Sequence, residues 1–427
     1  RSAQLRPQTQ PPFAPVGPPQ RSQAPTLCDL AAVFAPARRK NRSQVAQGRG
    51  VVVHRHGRMP ALSTGARRTL RVEARQRHGE GMHLDLTPLP AVFLAAEASA
   101  AGVDARRLRT AVAATTAVRL GRGVYADAAR WPTDRFERHR LMALAAQRAV
   151  QGSVLSHVSA ALAHQLPNPM GDLPRPAVTV DDRLRSRSPG SWMTLYRGEL
   201  TTGHIESNGA VRRTVASRTV LDCVRHLSTG DGLAVADAAI RAGKTTVDAV
   251  RDLREFQRRW PGAQKGDLML AQVDARREGW LESWSADAFR RMELPRWIPQ
   301  VNVYDAHDRF LGRVDGYWPD FGVAAEADGR GKYLGDVDPS LDRSPDAVAQ
   351  RVLEAGEREV GLRACGLGLV RWTTKEITTA QLVVGARWRA EVARTDPRGI
   401  RATLICSCCN APLTSCDLGA VYSASGR

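Results

Sequence analysis

Residues 312–333 read GRVDGYWPDFGVAAEADGRGKY. Two short apolar stretches flank the turn WPDFG, which predicts an antiparallel pair of strands. Asp315 lies in the first strand and Glu326 near the end of the second, so the two acids fall on neighbouring strands near one edge. Strand side chains alternate with period two, so Glu326 and Asp328 share a face. A buried carboxylate is costly unless it has a proton, a partner or a metal. Any fold that buries these strands must therefore supply one of the three.

The surrounding sequence predicts what the strands belong to. EGWLESWSADAFRRMEL is a helix with Leu281, Trp284 and Phe289 among its apolar positions. IPQVNVYD, RFLGRVDGYWPD and GVAAEADG are three strands, RVLEAGEREVGLRACG is a helix ended by Gly366, and LGLVRWT is a further strand. That order makes an α/β unit with a mixed sheet.

Two readings of the acids follow. In the first, Asp315, Glu326 and Asp328 converge, and a divalent cation relieves their repulsion. Oxygen-only ligation suits Mg²⁺ or Mn²⁺, which can activate water at a phosphate. Glu282 on the preceding helix completes the shell or orients water, and Lys332 or Arg330 neutralises the scissile phosphate. In the second reading the acids form ion pairs with Arg313, Arg358 or Arg371, as structural charge networks do.

Upstream, LPAVFLAAEASAAG has helical spacing and ends at Gly102. Asp104 is placed to cap a second helix, ARRLRTAVAA, with Leu108 and Val112 on one face. AVRLGRGVYA is strand–turn–strand, with Gly121 and Gly123 at the turn. Helix, turn, helix and hairpin is the layout of a winged helix-turn-helix. Arg106, Arg107 and Arg109 could then enter a DNA groove and Arg122 could touch the backbone; the plainer alternative is a solvated basic face. Residues 134–165 read as Ala-rich helices, in which His157 and His164 are packed or capped residues before they are a metal pair. Short strands follow over 176–206, then the helices RTVASRTVLDCVRHL, with Ser217 as a candidate cap, and GLAVADAAIRAG.

The formal net charge of +19 points to a polyanionic partner, but it is unevenly placed. Residues 1–84 carry 15 Lys/Arg against 3 Asp/Glu, and the remainder carries 47 against 40. The opening is rich in Pro and Gln without hydrophobic periodicity, which predicts a disordered basic tail or a mis-set start near Met82. The alternative is a basic arm that binds nucleic acid or targets the protein. No apolar run approaches the roughly 20 residues of a membrane span, and no signal peptide is visible. Seven Cys do not resemble a secreted disulfide framework, so a cytoplasmic protein is expected. Four of them, in ICSCCNAPLTSC, could bind zinc. Their C-x-C-C-x6-C spacing departs from paired C-x2-C knuckles, and the cluster is read as incidental, without zinc.

The order helix-Glu, strand-Asp, strand-Glu-x-Asp, carried by LES at 281–283, GRVDGYWP at 312–319, EADGRGKY at 326–333, REVGLRACG at 358–366 and VRWT at 370–373, resembles the PD-(D/E)XK nuclease superfamily. More narrowly it is similar to the very-short-patch-repair-like endonuclease domain of actinobacterial proteins. The resemblance implies a restriction-endonuclease-like fold and a Mg²⁺-dependent endodeoxyribonuclease. Asp315, Glu326, Asp328, Lys332 and Glu282 would be its catalytic residues, with Arg358 and Arg371 in support. The superfamily's Glu-x-Lys reads Glu326-Ala327-Asp328 here, with Lys332 four residues later; this departure bears on catalysis more than on the fold. AAEASAAGVDARRLR, VRLGRGVYA, LSHVSAALAHQLP and VASRTVLD resemble a second family, the AbiEi-type antitoxins of type IV toxin–antitoxin and phage-defence systems. That resemblance implies promoter binding and a nucleotidyltransferase-type toxin as partner.

The expected architecture is multi-domain α/β. It runs as a tail at 1–84, a winged helix-turn-helix at 85–130, an α+β region at 131–250, a helical linker at 251–277, an endonuclease-like domain at 278–385 and a tail at 386–427. The expected function is a DNA-binding protein with an endonuclease-like domain. The alternative is a non-enzymatic antitoxin and autorepressor built on a decayed nuclease fold.

Overall fold

The computed structural model describes residues 84–167, 169, 171–184, 190–329, 342 and 344–416, all within the unit Gly81–Arg427. The expectations for the basic tail, Arg330 and Lys332 lie outside the described residues. Among the described residues the fold is mixed α/β, with three sheets.

The first sheet carries β1 (Val92–Leu94), β2 (Ala117–Gly121) and β3 (Val124–Asp127) in the antiparallel order β1-β3-β2. Between β1 and β2 lie α1 (Ala95–Ala100) and α2 (Ala105–Ala113). Asp104 caps α2 by accepting from Arg107 N at 2.7 Å, as its residue type and position predict. Leu108 is buried with Phe93 and Val103, and Val112 packs against them. The segment VFL, expected inside a helix, is instead β1, because Val92 and Leu94 pair with Ala126 and Val124. Helical spacing in a short apolar run does not separate helix from strand, and here the partner strand decides.

The second sheet contains β4 (Val154–Leu155), β5 (Ala177–Val180), β6 (Thr194–Arg197), β7 (Ile205–Asn208) and β8 (Val211–Thr214), in the order β6-β5-β4-β8-β7. Around it lie α3 (Arg135–Ala149), α4 (His157–Ala163), α5 (Ala216–His226), α6 (Thr229–Arg241), α7 (Val247–Phe256) and α8 (Gln264–Leu270). The N-cap of α5 is Val215, so Ser217 sits inside the first turn rather than capping it. The expected boundary at 250 falls inside α7, and 251–277 is no linker. Val250, Leu253 and Met269 share one core with Val220, Leu221 and Leu233. His157 stacks on Tyr196 with centroids 3.7 Å apart, and His164 Nε2 lies 2.8 Å from the Thr214 carbonyl. Both are packed residues, as read.

The third sheet holds β9 (Ile298–Tyr304), β10 (Phe310–Trp318), β11 (Val323–Asp328), β12 (Gly368–Thr373) and β13 (Thr403–Cys406). Their order is β12-β11-β10-β9-β13. β11 and β12 are parallel and the other pairs antiparallel. α9 (Trp280–Arg291) precedes the sheet, α10 (Pro345–Ala364) joins β11 to β12, and α11 (Thr374–Thr379) and α12 (Gln381–Arg394) follow. Val323, Ala325 and Ala327 of β11 join one apolar cluster with Phe289, Trp297, Trp318 and Trp372. Ala324 joins another with Tyr317, Leu362 and Leu369. The alternation means that both faces of β11 are covered, which explains its nearly continuous apolar sequence.

The expected tail at 386–427 is corrected over its described part. Residue 385 lies inside α12, Trp388 packs edge-on to Trp318 with centroids 5.8 Å apart, and β13 pairs with β9. Among the described residues, no helix is long and apolar enough to cross a membrane.

Candidate functional site on the C-terminal sheet

Register places the acids. The antiparallel ladder between β10 and β11 ends where Gly316 pairs with Ala325, and Asp315 and Glu326 are the next residues on their strands. Glu326 in turn pairs with Arg371 on β12. Residues opposite each other in a ladder point to the same face, so one rung carries Glu326 and Arg371, with Asp315 beside it. Beyond that rung Asp315 takes over a backbone donor: its Oδ2 accepts from Ala327 N at 2.8 Å. This bond holds the Asp315 side chain against β11.

Glu282 reaches the same place from α9. It is buried, and its Oε2 accepts from Gln300 Nε2 at 2.8 Å and from Glu278 N at 3.1 Å. Burial, then the negative charge of Asp315, pushes its carboxyl up to about 7. Gln300 is buried in β9 with φ +54 and leaves its Oε1 without a hydrogen-bond partner. Sequence reasoning missed Gln300. The signal available was a polar residue inside the buried strand IPQVNVYD, but its backbone conformation was not legible.

Arginines meet the other oxygens. Arg358 Nη2 donates to Glu326 Oε1 and, at 2.9 Å, to the Arg313 carbonyl. Gly312 makes that approach possible: its φ is +141, and a Cβ there would meet Arg358 Nε at 2.6 Å. Arg371 grips Asp328 through Nε (3.0 Å) and Nη2 (3.2 Å), and its Nη1 reaches Glu359 at 3.2 Å. Arg313 pairs with Glu278 at 2.7 Å. The structure thus sets Asp315 near Glu282, pairs Glu326 with Arg358, and turns Asp328 to Arg371.

The donor set at Glu282, Asp315 and Gln300 fits a hard divalent cation. It is oxygen-only, burial and then the Asp315 charge raise the Glu282 carboxyl, and one buried oxygen, Gln300 Oε1, lacks a partner. The oxygens are not yet gathered around a point. Among the described residues, the group of three or more ionisable ligands close enough to share one ion is Cys406, Cys408, Cys409 and Cys416.

Arg106 and Arg109 on α2 and Arg122 at the β2–β3 turn are exposed, and Arg107 is half-buried with Nη1 donating to the Gly102 carbonyl at 3.1 Å. These guanidinium groups lie in a different sheet unit from the acids.

No family model matches the chain, and no curated protein matches it. Among solved structures, the RV2827C protein from Mycobacterium tuberculosis is similar at 14% identity, over 43% of this chain and 72% of that one, with a TM-score of 0.30. A likeness of that degree assigns this chain to no family.

Proposed function

We propose that this is a DNA-binding protein of the phage-defence or toxin–antitoxin type, whose C-terminal α/β unit is a metal-dependent endonuclease acting on DNA phosphodiester bonds. The observation that carries the reading is Asp315 held against β11 beside Glu326, with a buried Glu282 close enough that burial and then the Asp315 charge raise its carboxyl to about 7. Their order, helix-borne Glu, strand-borne Asp and strand-borne Glu, supports a PD-(D/E)XK-like arrangement. Asp315 and Glu326 would hold Mg²⁺ or Mn²⁺, with Glu282 and Gln300 Oε1 beside them. Such an ion supplies charge to polarise a phosphate and to acidify water. Ala327 N orients Asp315. Glu282, poised near neutrality, can take up or release a proton at its carboxyl. Arg106, Arg109 and Arg122 would bind the DNA backbone as part of a winged helix-turn-helix, with Arg107 supporting the helix.

A specific observation favours a second reading. Arg371 clamps Asp328, the position where the superfamily carries Lys, and Arg358 covers Glu326. A non-enzymatic AbiEi-type antitoxin and autorepressor, partnered by a nucleotidyltransferase-type toxin, would keep such a charge-neutralised sheet as scaffold.

One experiment separates them. The full chain is incubated with supercoiled plasmid and Mg²⁺ or Mn²⁺, beside Asp315→Ala, Glu326→Ala and the double variant Arg106→Ala/Arg109→Ala. The expected result is nicking by the parent that both acid variants abolish. The arginine variant should bind DNA more weakly, with a salt slope shallower by about 1 per lost phosphate contact. Folded parent that binds DNA and leaves it intact would replace the enzyme reading with the repressor reading.

A further inference from the structure

We propose that Cys406, Cys408, Cys409 and Cys416 form a structural zinc site that fastens the edge strand β13 to the C-terminal sheet. The inference is independent of the nuclease reading. The four Sγ atoms all lie within 4.8 Å of one another, and those of Cys406 and Cys408 are 2.8 Å apart. Four thiolates bound to one zinc at about 2.3 Å stand about 3.8 Å apart. The cluster's separations thus bracket those of a four-thiolate zinc site.

The unusual spacing works because the chain folds back on itself. β13 ends at Cys406, whose backbone N donates to the Ala411 carbonyl at 2.8 Å and whose carbonyl accepts from Asn410 N at 2.9 Å. Asn410 takes φ +53 at the turn, and Ile405 bridges to Pro412. The single turn Leu413–Ser415 then returns Cys416 to Cys406. Spacing measured along the chain hid this closure, and the reading of the cluster as incidental rested on that spacing and on a tail expected to be unstructured.

Cys406 and Cys416 are buried while Cys408 and Cys409 are exposed, so two ligands come from the protein side and two from the solvent side. Arg276 Nη1 lies 3.9 Å from Cys406 Sγ. Donors around sulfur are what a site carrying excess thiolate charge requires. Four soft ligands and no open position select a closed tetrahedral zinc site over a catalytic one. What such a site would hold is a four-residue edge strand, Thr403–Cys406, followed by a loop whose apolar anchor is Leu413. Metal binding contributes folding energy directly to such a short segment.

The test uses the reduced full chain, stripped of metal and titrated with Co²⁺ and then Zn²⁺. One equivalent of Co²⁺ should produce thiolate charge-transfer and tetrahedral ligand-field absorption, bleached by one equivalent of Zn²⁺. Cys408→Ser and Cys416→Ser should each weaken binding by roughly tenfold or more. Alkylation mapping of the parent guards against a variant that fails to fold: zinc should protect all four cysteines and leave Cys223 and Cys365 unchanged. An octahedral or absent cobalt spectrum in folded, reduced protein overturns the proposal. So does iron as the metal carried through purification, or a protection pattern that omits Cys408 or Cys409.

Discussion

The helical layer over the middle sheet and the acidic rung of the C-terminal sheet both bury charge, and they settle it differently. In the helical layer, Arg218 meets Asp222 at 2.9 Å and Arg277 meets Asp237 at 2.8 Å, with all four side chains at most 2% exposed. Each buried acid faces a guanidinium, and neutral groups complete the sets: Asp274 N donates to Asp237 at 2.7 Å, and Arg277 donates to the Gln272 carbonyl at 3.0 Å. At the rung, Glu282 takes its hydrogen bonds from neutral donors while a second carboxylate, Asp315, raises its proton affinity. Charge buried against opposite charge is what a scaffold needs. Acid set against acid raises the proton affinity of Glu282, which makes this place responsive to pH where the helical pairs are built from opposite charges.

The largest effect should come from breaking a scaffold pair. Arg277→Ala leaves Asp237 buried against its own desolvation, and the variant should lose about 3–5 kcal/mol in urea unfolding. A loss under 1 kcal/mol would mean that the pair is not the scaffold described here.

The rung should respond in the opposite direction. Because folding raises the Glu282 value above the ordinary carboxyl range, the folded chain binds this proton more tightly than the unfolded chain. That contribution is complete below the ordinary value near 4.5 and is lost as pH rises through about 7. Glu282→Gln keeps an acceptor for Gln300 and Glu278 and removes the titration. It should match the parent at pH 4 and be more stable by about 1–3 kcal/mol at pH 8. Equal stability of parent and variant across this range would remove the rung's distinction from the helical layer.

The smallest effect should be that of Arg358→Ala. Arg358 is partly exposed, so water can replace it at Glu326, and the cost should be about 1 kcal/mol. If the rung is a cation site, millimolar Mg²⁺ should restore much of that loss, whereas Arg277→Ala should show no response. Thermal unfolding with and without Mg²⁺ makes the comparison.

Much of the C-terminal unit was legible. Period-two alternation and the WPDFG turn predicted β9, β10 and β11, and Gly366, at φ +86, ends the helical stretch that precedes β12. Asp104 as a cap, and the two helices before the β2–β3 hairpin, were legible for the same reason: their signals span a few residues. VFL as a strand, α7 and α8 as core, and β13 as part of the sheet were not, because each depends on a partner far along the chain. Gln300 was missed because its residue type alone does not show that a left-handed backbone aims it at Glu282.

What the sequence by itself determined was local: the strand and helix periods, the turns, and the presence of Asp315, Glu326 and Glu282 on a helix and strands bound for a core, where acids demand an explanation. Tertiary structure decided which explanation each acid received. A bond from Ala327 N held Asp315 against β11, the absence of a side chain at Gly312 let Arg358 through to Glu326, and Arg371 took Asp328. It also drew four cysteines together through a turn that spacing did not reveal. The physical reason is the same in each case. Periodicity is written over neighbouring residues, whereas charge balance and ligand geometry depend on distances in space, which only the packed chain sets.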